Sequence, residues 1–434
     1  MRDPIEELRS ARSHGEKRGL CSVCSAHPMV LEAAVNRVAR TGLPLLVEAT
    51  ANQVNQHGGY TGMRPEEFAV NLADLCASCD ADPALLVFGG DHLGPWPWRS
   101  RSAREAMVEA EVLVRSFVAA GARKIHIDAS MPLGGDGPAL APEIAVTRAA
   151  LLCRAAEEAW ERARASRPRA PAPIYVVGTE VPVPGGTSVI ESEGGPAPTS
   201  ADAFRAVVEL HRETFARQGL GPVWDRVIAV VVQPGVEFSA THVRPYRRAR
   251  SADLSRALRD YPGLFFEGHS TDYQSEEALR ELVEDGVAFL KVGPALTFAL
   301  REALFGLCLA ARELTGGKPP EDLIDTVLRV MQRDQRHWKG YYPEDESLPF
   351  LLAYGYSDRI RYYWFEAEVA GAVERLFATL RARAIPPQLL SQHLPRLCGV
   401  QELGRLGSDP RALTMAAVDA ELARYERACW QERG

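Results

Sequence analysis

The feature that most constrains this chain is an eightfold recurrence of short apolar runs, each ending in glycine or polar residues and separated by segments with helical spacing. The runs are GLCSVCS from Gly19, LPLLVEAT from Leu43, LLVFGGDH from Leu85, KIHIDAS from Lys124, IYVVGTEV from Ile174, IAVVVQPG from Ile228, GLFFEGHST from Gly263 and AFLKVGPAL from Ala288. Nearly continuous apolar character marks parallel strands covered on both faces. Helix start signals stand between them. Pro65-Glu66-Glu67, Pro142-Glu143 and Ser275 before EEALRELVEDG place proline, acids or a capping hydroxyl where the first helical N–H groups lack partners. Strict alternation calls for right-handed crossovers, and eight such units predict an α/β fold closed as a TIM (β/α)8 barrel rather than an open doubly wound sheet.

After TFALREALFGLCLAARELTGGKPP the strand signals stop. The expected organisation is a barrel over residues 1–318 and a helical extension over 319–434 packed on it. Within that extension, YSDRIRYYW is read as a solvated charged helix face in preference to a cover over the barrel mouth. Composition narrows the function classes. With 46% hydrophobic and 25% charged residues and a net charge of -7, the chain is expected to be globular and to bind neither nucleic acid nor membrane. A charged N-terminal stretch and the lack of a long uninterrupted apolar span make the expected compartment cytoplasmic. Two CxxC pairs, Cys21 with Cys24 and Cys76 with Cys79, lie too far apart in sequence for a zinc ribbon and read as small buried side chains.

In this fold, reacting groups project from the C-terminal ends of the strands. Those ends carry Glu48, Asp91, His92, Asp128, Glu180, Gln233, His269 and the Lys291–Pro294 turn, with Asn52, Gln53 and Asn55 just past the second strand. Acids, amides and imidazoles converging on one rim describe a polar cation-binding pocket, since buried charge is costly unless paired or metal-bound. Two imidazoles with oxygen donors suit a divalent Zn, Mn, Ni or Co better than Ca. His92 and His269 are the expected ligands, with Glu180 and Gln233 as oxygen ligands. Asp91, Asp128 and Glu180 are the candidate proton-transfer groups, and Glu48, Asn52, Gln53 and Glu267 the candidate substrate contacts. Alternation puts Glu267 on the face of His269 and His126 on the face of Asp128, with His126 read as a satisfied core histidine. Gly89 and Gly90 are expected to let the chain bend, so that His92 turns to the metal and Asp91 to the substrate.

Together GLCSVCSAHP, EATANQVNQHGGYTGM, GGDHLGP, KIHIDASM, GTEVPVPGG, VVQPGVEF, HSTDYQ, LKVGPALTFALREA and SDRIRYYW closely resemble the Z-type subunit family of D-tagatose-bisphosphate aldolase, over nearly the whole chain. The resemblance implies a class II aldolase-like barrel in which Asp91 is the proton-transfer acid and His92 and His269 are metal ligands. The sixth strand ends in Gln233 where the catalytic enzymes carry histidine. Two family roles stay open: a stand-alone C4-epimerase of fructose and tagatose or their 6-phosphates, or a non-catalytic partner stabilising a separate aldolase subunit. A plain sugar-binding protein is a third alternative, and the chain is a candidate homo-oligomer. The C4 hydrogen of a 2-ketose is not acidic and no G-x-G-x-x-G follows a strand, so inversion at C4 is expected to proceed by retro-aldol cleavage and re-addition. For a phosphorylated substrate, Ser270, Thr271, Lys291 and Gly293 are the expected phosphate donors.

Overall fold

Eight parallel strands close on themselves in the computed structural model, which describes residues 3–168, 170–179, 196–317, 322–397 and 407–430. They are β1 (Leu20–Val23), β2 (Leu45–Thr50), β3 (Leu86–Leu93), β4 (Lys124–Ile127), β5 (Ile174–Val177), β6 (Val227–Val232), β7 (Phe265–Gly268) and β8 (Val287–Val292). Each expected run overlaps one of them, with β3, β6 and β8 reaching one residue beyond it. Closure is made by β1 against β8, with Leu20 opposite Phe289 and Val23 opposite Val292. The TIM-barrel fold is therefore the fold of this chain. A two-residue hairpin, Glu237–Phe238 with Val243–Arg244, follows β6 and was not signalled by periodicity.

The apolar runs serve two cores. On β6, Val230 and Val232 pack under the helix layer, while Ala229 and Val231 face the lumen, as alternation requires. The lower lumen is filled by Leu20, Leu46, Val87, Ile174, Val176 and Phe289, and the helix Pro4–Ser13 adds Ile5 and Leu8 to the same cluster. This N-terminal helix, capped by Asp3, thus closes the barrel bottom. Its charged side chains had concealed an apolar stripe, each large member of which contributes about 1.5–3 kcal/mol by burial. A cavity lies at the other end, where the strand C-termini are.

From Leu323 onward the described residues form helices, among them Leu323–Arg333, Ala367–Arg381 and Pro410–Cys429. The last packs on Pro28–Thr41, Glu276–Glu284 and Pro294–Thr315, and Arg37 ties it down through Glu426 at 2.7 Å. Pro294–Thr315 is long and apolar enough to cross a membrane, yet most of it is buried inside the protein. One expectation is corrected here. The YSDRIRYYW stretch is not a solvated face, because Asp358, Arg359 and Arg361 are buried. Aromatic rings cover the charges: the Arg359 guanidinium lies 3.7 Å from the Tyr341 ring centre and that of Arg361 lies 4.4 Å from Tyr362.

Candidate active site

Neighbours on a strand normally face opposite ways, so Asp91 and His92 need a local device to share one cavity. β3 provides it. Gly89 and Gly90 pair with Lys124 and Ile125, but Leu93 pairs with Ile127, so the Asp91–His92 step carries an extra residue, a bulge. His92 takes up the distortion with φ of 47°, a left-handed conformation rare outside glycine. The bend is thus made by His92, not by the glycines before it. The glycines serve close approach: a Cβ on Gly89 would lie 2.9 Å from the Lys124 carbonyl oxygen, and one on Gly94 only 1.6 Å from that of Asp128.

Below the cavity lies a buried charge network. Lys124 bridges Glu48 at 2.7 Å and Glu267 at 2.6 Å, and Lys291 binds Glu48 and Asp91, the latter at 2.9 Å. Ser22 donates to Glu48. Asp128, held by Ser130, completes the set of acids. Among the described residues Glu48, Asp91, Asp128 and Glu267 thus oppose Lys124 and Lys291 alone, and all six side chains are buried. Two formal negative charges are left without a fixed counter-charge, a costly arrangement unless a cation joins it. Burial pushes the Asp91 carboxyl up, but Lys291 and the neighbouring imidazoles hold it well below the usual carboxylate range. Burial likewise opposes ionisation of Glu267, and Lys124 and Lys291 outweigh it.

Above the network three imidazoles form a triangle. The ring centres of His92, His126 and His269 are 4.8–5.1 Å apart. Each has one nitrogen on a carboxylate: His92 Nδ1 on Asp128 at 2.8 Å, His126 Nδ1 on Asp91 at 2.9 Å and His269 Nε2 on Glu267 at 3.0 Å. His126 Nδ1 also lies 3.2 Å from the His92 amide nitrogen, and the shorter, charge-assisted contact places the hydrogen on Nδ1. In a neutral ring each of these bonds leaves a lone pair on the other nitrogen, and His126 Nε2 is buried with no hydrogen-bond partner among the described residues. Burial lowers His269 to about 4, so its ring is neutral near pH 7. His92 is raised, because Asp91 and Asp128 outweigh its burial, and such surroundings favour any positive charge on that ring. Ligand atoms of Asp91, His92, His126 and His269 all fall within 4.8 Å of one another. Carboxylate-backed imidazoles around an unbalanced negative charge fit a divalent metal.

The cavity itself is lined by Asn52, Gln53, Asp91, His92, His269, Ser270, Lys291 and Gly293 among the expected residues. Others lie elsewhere. Glu48 and Glu267 sit beneath it in the charge network, and Asp128 stands behind His92. The Thr271 hydroxyl donates to the Lys291 carbonyl, and the Gly293 amide donates to Asp272. Gln233 is not among the lining residues, and its side-chain oxygen accepts from the Gly235 amide. Glu180 lies outside the described residues. His126 shares the lumen face that alternation gave it, and with its Nε2 lacking a hydrogen-bond partner among the described residues it is not a satisfied core histidine.

A family model described as D-tagatose-1,6-bisphosphate aldolase subunit GatZ/KbaZ-like matches residues 5–430. The chain belongs to this family. It is 45% identical over 431 residues to the D-tagatose 6-phosphate 4-epimerase of Agrobacterium fabrum (strain C58 / ATCC 33970), covering 99% of each chain. The crystal structure of a probable tagatose 6 phosphate kinase from Sinorhizobium meliloti 1021 matches it with a TM-score of 0.85 at 41% identity, over 95% of this chain and 100% of that one.

In this GatZ/KbaZ-like chain the cavity also takes in Cys24, Tyr60, Phe238, Asp272, Arg361 and Tyr362. Sequence reasoning missed these: Cys24 directly follows β1 and reads as a small buried side chain, while Tyr60, Phe238 and Asp272 come from the segments after β2, β6 and β7, and Arg361 and Tyr362 from the helical extension, none of these five at the C-terminus of a barrel strand. The one available signal was SDRIRYYW, whose two arginines beside aromatics suit a covered mouth better than a solvated helix face. Tyr60 and Tyr362 meet edge to face with ring centres 5.0 Å apart, joining the loop after β2 to the extension.

Proposed function

We propose that this chain is a divalent-metal-dependent ketohexose 6-phosphate 4-epimerase, interconverting tagatose 6-phosphate and fructose 6-phosphate by opening and re-forming the C3–C4 bond. The names of both relatives contain tagatose 6-phosphate, and the family is aldolase-like, which supports the substrate and the bond chemistry. The observation that carries the reading is the cavity floor: three carboxylate-backed imidazoles over two uncompensated negative charges, with the ionised Asp91 beside them. His92, His126 and His269 would hold the metal, which when bound supplies the Lewis acidity that stabilises negative charge developing on the ketose oxygens.

The protein's own groups perform the rest. Asp91 accepts the C4 hydroxyl proton, and Lys291 and His126 fix its orientation. The C3–C4 bond then breaks, its electron pair staying with carbons 1–3 as the enediolate of dihydroxyacetone while carbons 4–6 leave as glyceraldehyde 3-phosphate. The aldehyde turns to present its opposite face, the bond re-forms, and Asp91 returns the proton to O4. Asp128 and Glu267 orient His92 and His269, while Asn52 and Gln53 border the sugar. Tyr60, Tyr362 and Phe238 enclose the cavity and keep the aldehyde beside its partner.

The test is turnover by the isolated chain, supplied with Zn, Mn, Ni or Co and tagatose 6-phosphate, with fructose 6-phosphate followed by chromatography. Asp91→Asn is expected to lower kcat by about 10²–10⁴-fold with metal content unchanged. An inactive wild-type chain that activates a separate aldolase subunit would instead support the partner role.

A further inference from the structure

The mouth of the cavity has the opposite electrostatic character to its floor. Arg359 and Arg361 are both buried, flank the Tyr362 ring, and have no carboxylate within ion-pair reach among the described residues. Of the nearby acids, Asp272 accepts from the Gly293 and Ala295 amides, and Asp358 accepts from Thr297 through Oδ2 at 2.5 Å and turns Oδ1 toward Arg301 at 3.8 Å. Tyr362 records the positive field, since Arg359 and Arg361 outweigh its burial and hold the phenol below its usual range. Buried guanidiniums are ordinarily matched by an anion.

Arg361 is the one of the two that lines the cavity. Its Nη1 donates to the carbonyls of Ser357 and Asp358, and its Nη2 donates to the Tyr362 hydroxyl at 2.9 Å. A guanidinium has five N–H donors, so among the described residues the Nε–H and one Nη2–H remain for the oxygens of a phosphate. The donors expected near β7 and β8 are largely committed: the Thr271 hydroxyl to the Lys291 carbonyl, Lys291 to Glu48 and Asp91, and the Gly293 amide to Asp272. Asp272 occupies the start of the helix Pro294–Thr315, where barrel enzymes commonly seat a phosphate. Ser270 lines the cavity with φ of 55°, and its hydroxyl makes no hydrogen bond among the described residues.

Resting on the ketose-phosphate reading, we propose that Arg361, assisted by Ser270, binds the terminal phosphate of the substrate, so that the helical extension and not the helix start after β8 confers selectivity for phosphorylated sugars. The substrate then spans a bipolar cavity, its reacting carbons over the anionic floor and its phosphate under the cationic mouth.

The test compares Arg361→Met, Arg361→Lys and Ser270→Ala with wild type on tagatose 6-phosphate and on unphosphorylated tagatose, with binding of tagatose 6-phosphate and of inorganic phosphate measured by calorimetry. Arg361→Met is expected to raise KM for the 6-phosphate about 100-fold, and Arg361→Lys about tenfold, with kcat/KM on tagatose within about threefold of wild type. Inorganic phosphate should inhibit wild type competitively and Arg361→Met hardly at all. An unchanged KM for the phosphate, or an equal loss on both sugars, overturns the proposal. Should Arg361→Met fail to fold, the lysine and Ser270→Ala variants decide it by the same ratio. A wild type that binds tagatose 6-phosphate without converting it would refute the epimerase reading alone, and calorimetry on the variants would still judge Arg361.

Discussion

Replacing Lys124 by methionine removes the cation that bridges Glu48 and Glu267 without opening a large void. The contacts are 2.7 and 2.6 Å, and all three side chains are fully buried. At an effective dielectric of about 20, each contact is worth about 6 kcal/mol of Coulomb attraction. Much of that is offset by the desolvation of the ammonium, which methionine does not need, so the expected net loss is about 3–5 kcal/mol, left mainly in the stranded carboxylates. Urea unfolding of the metal-free protein followed by circular dichroism measures it. Acid should narrow the gap. Glu267 is held well below the ordinary carboxyl range chiefly by Lys124 against the effect of burial, so its contribution is present above about pH 4.3 and is lost as pH falls through the lower folded value. Without Lys124 the folded value rises, and protonation of Glu267 relieves the variant earlier than wild type. Lys124→Met/Glu267→Gln should recover part of the loss at neutral pH. A single variant within about 1 kcal/mol of wild type at pH 7 would show that the lumen charges are solvated, and the charge argument for a bound cation would go with it.

Other expectations are more local. His126→Gln should weaken zinc binding by at least about 10–100-fold in a competition titration with a chromophoric chelator; an unaltered affinity would return His126 to a packing role. His211 is fully buried, with Nδ1 on the Val207 carbonyl at 2.9 Å and Nε2 unpartnered, and burial lowers it to about 4. Its folded value lies below the unfolded one of about 6.5, so stability is intact above that pH and falls toward pH 4 by up to about 1.4 kcal/mol per unit. His211→Leu should flatten that slope in urea midpoints taken between pH 7 and 5, and identical slopes would exclude His211 as their source.

What the chain's own pattern determined is the architecture. Eight apolar runs with helical segments between them admit few topologies, because a parallel strand must be covered on both faces and every crossover has the same hand. Strand-end position likewise places Asp91, His92 and His269 at one rim. Only the tertiary structure decided which groups complete the site. Period-two reasoning does not foresee the bulge that turns Asp91 and His92 the same way, because a bulge is paid for by pairing with β4 and by the close approach at Gly94. His126 became a candidate ligand once its Nδ1 met Asp91 and its Nε2 met nothing. Arg361 and Tyr362 reach the cavity from a segment more than two hundred residues beyond β3, carried there by the packing of the helical extension. Local periodicity reports which face of an element is apolar; the meeting of charges across a lumen depends on register, tilt and closure, which no short window of sequence contains.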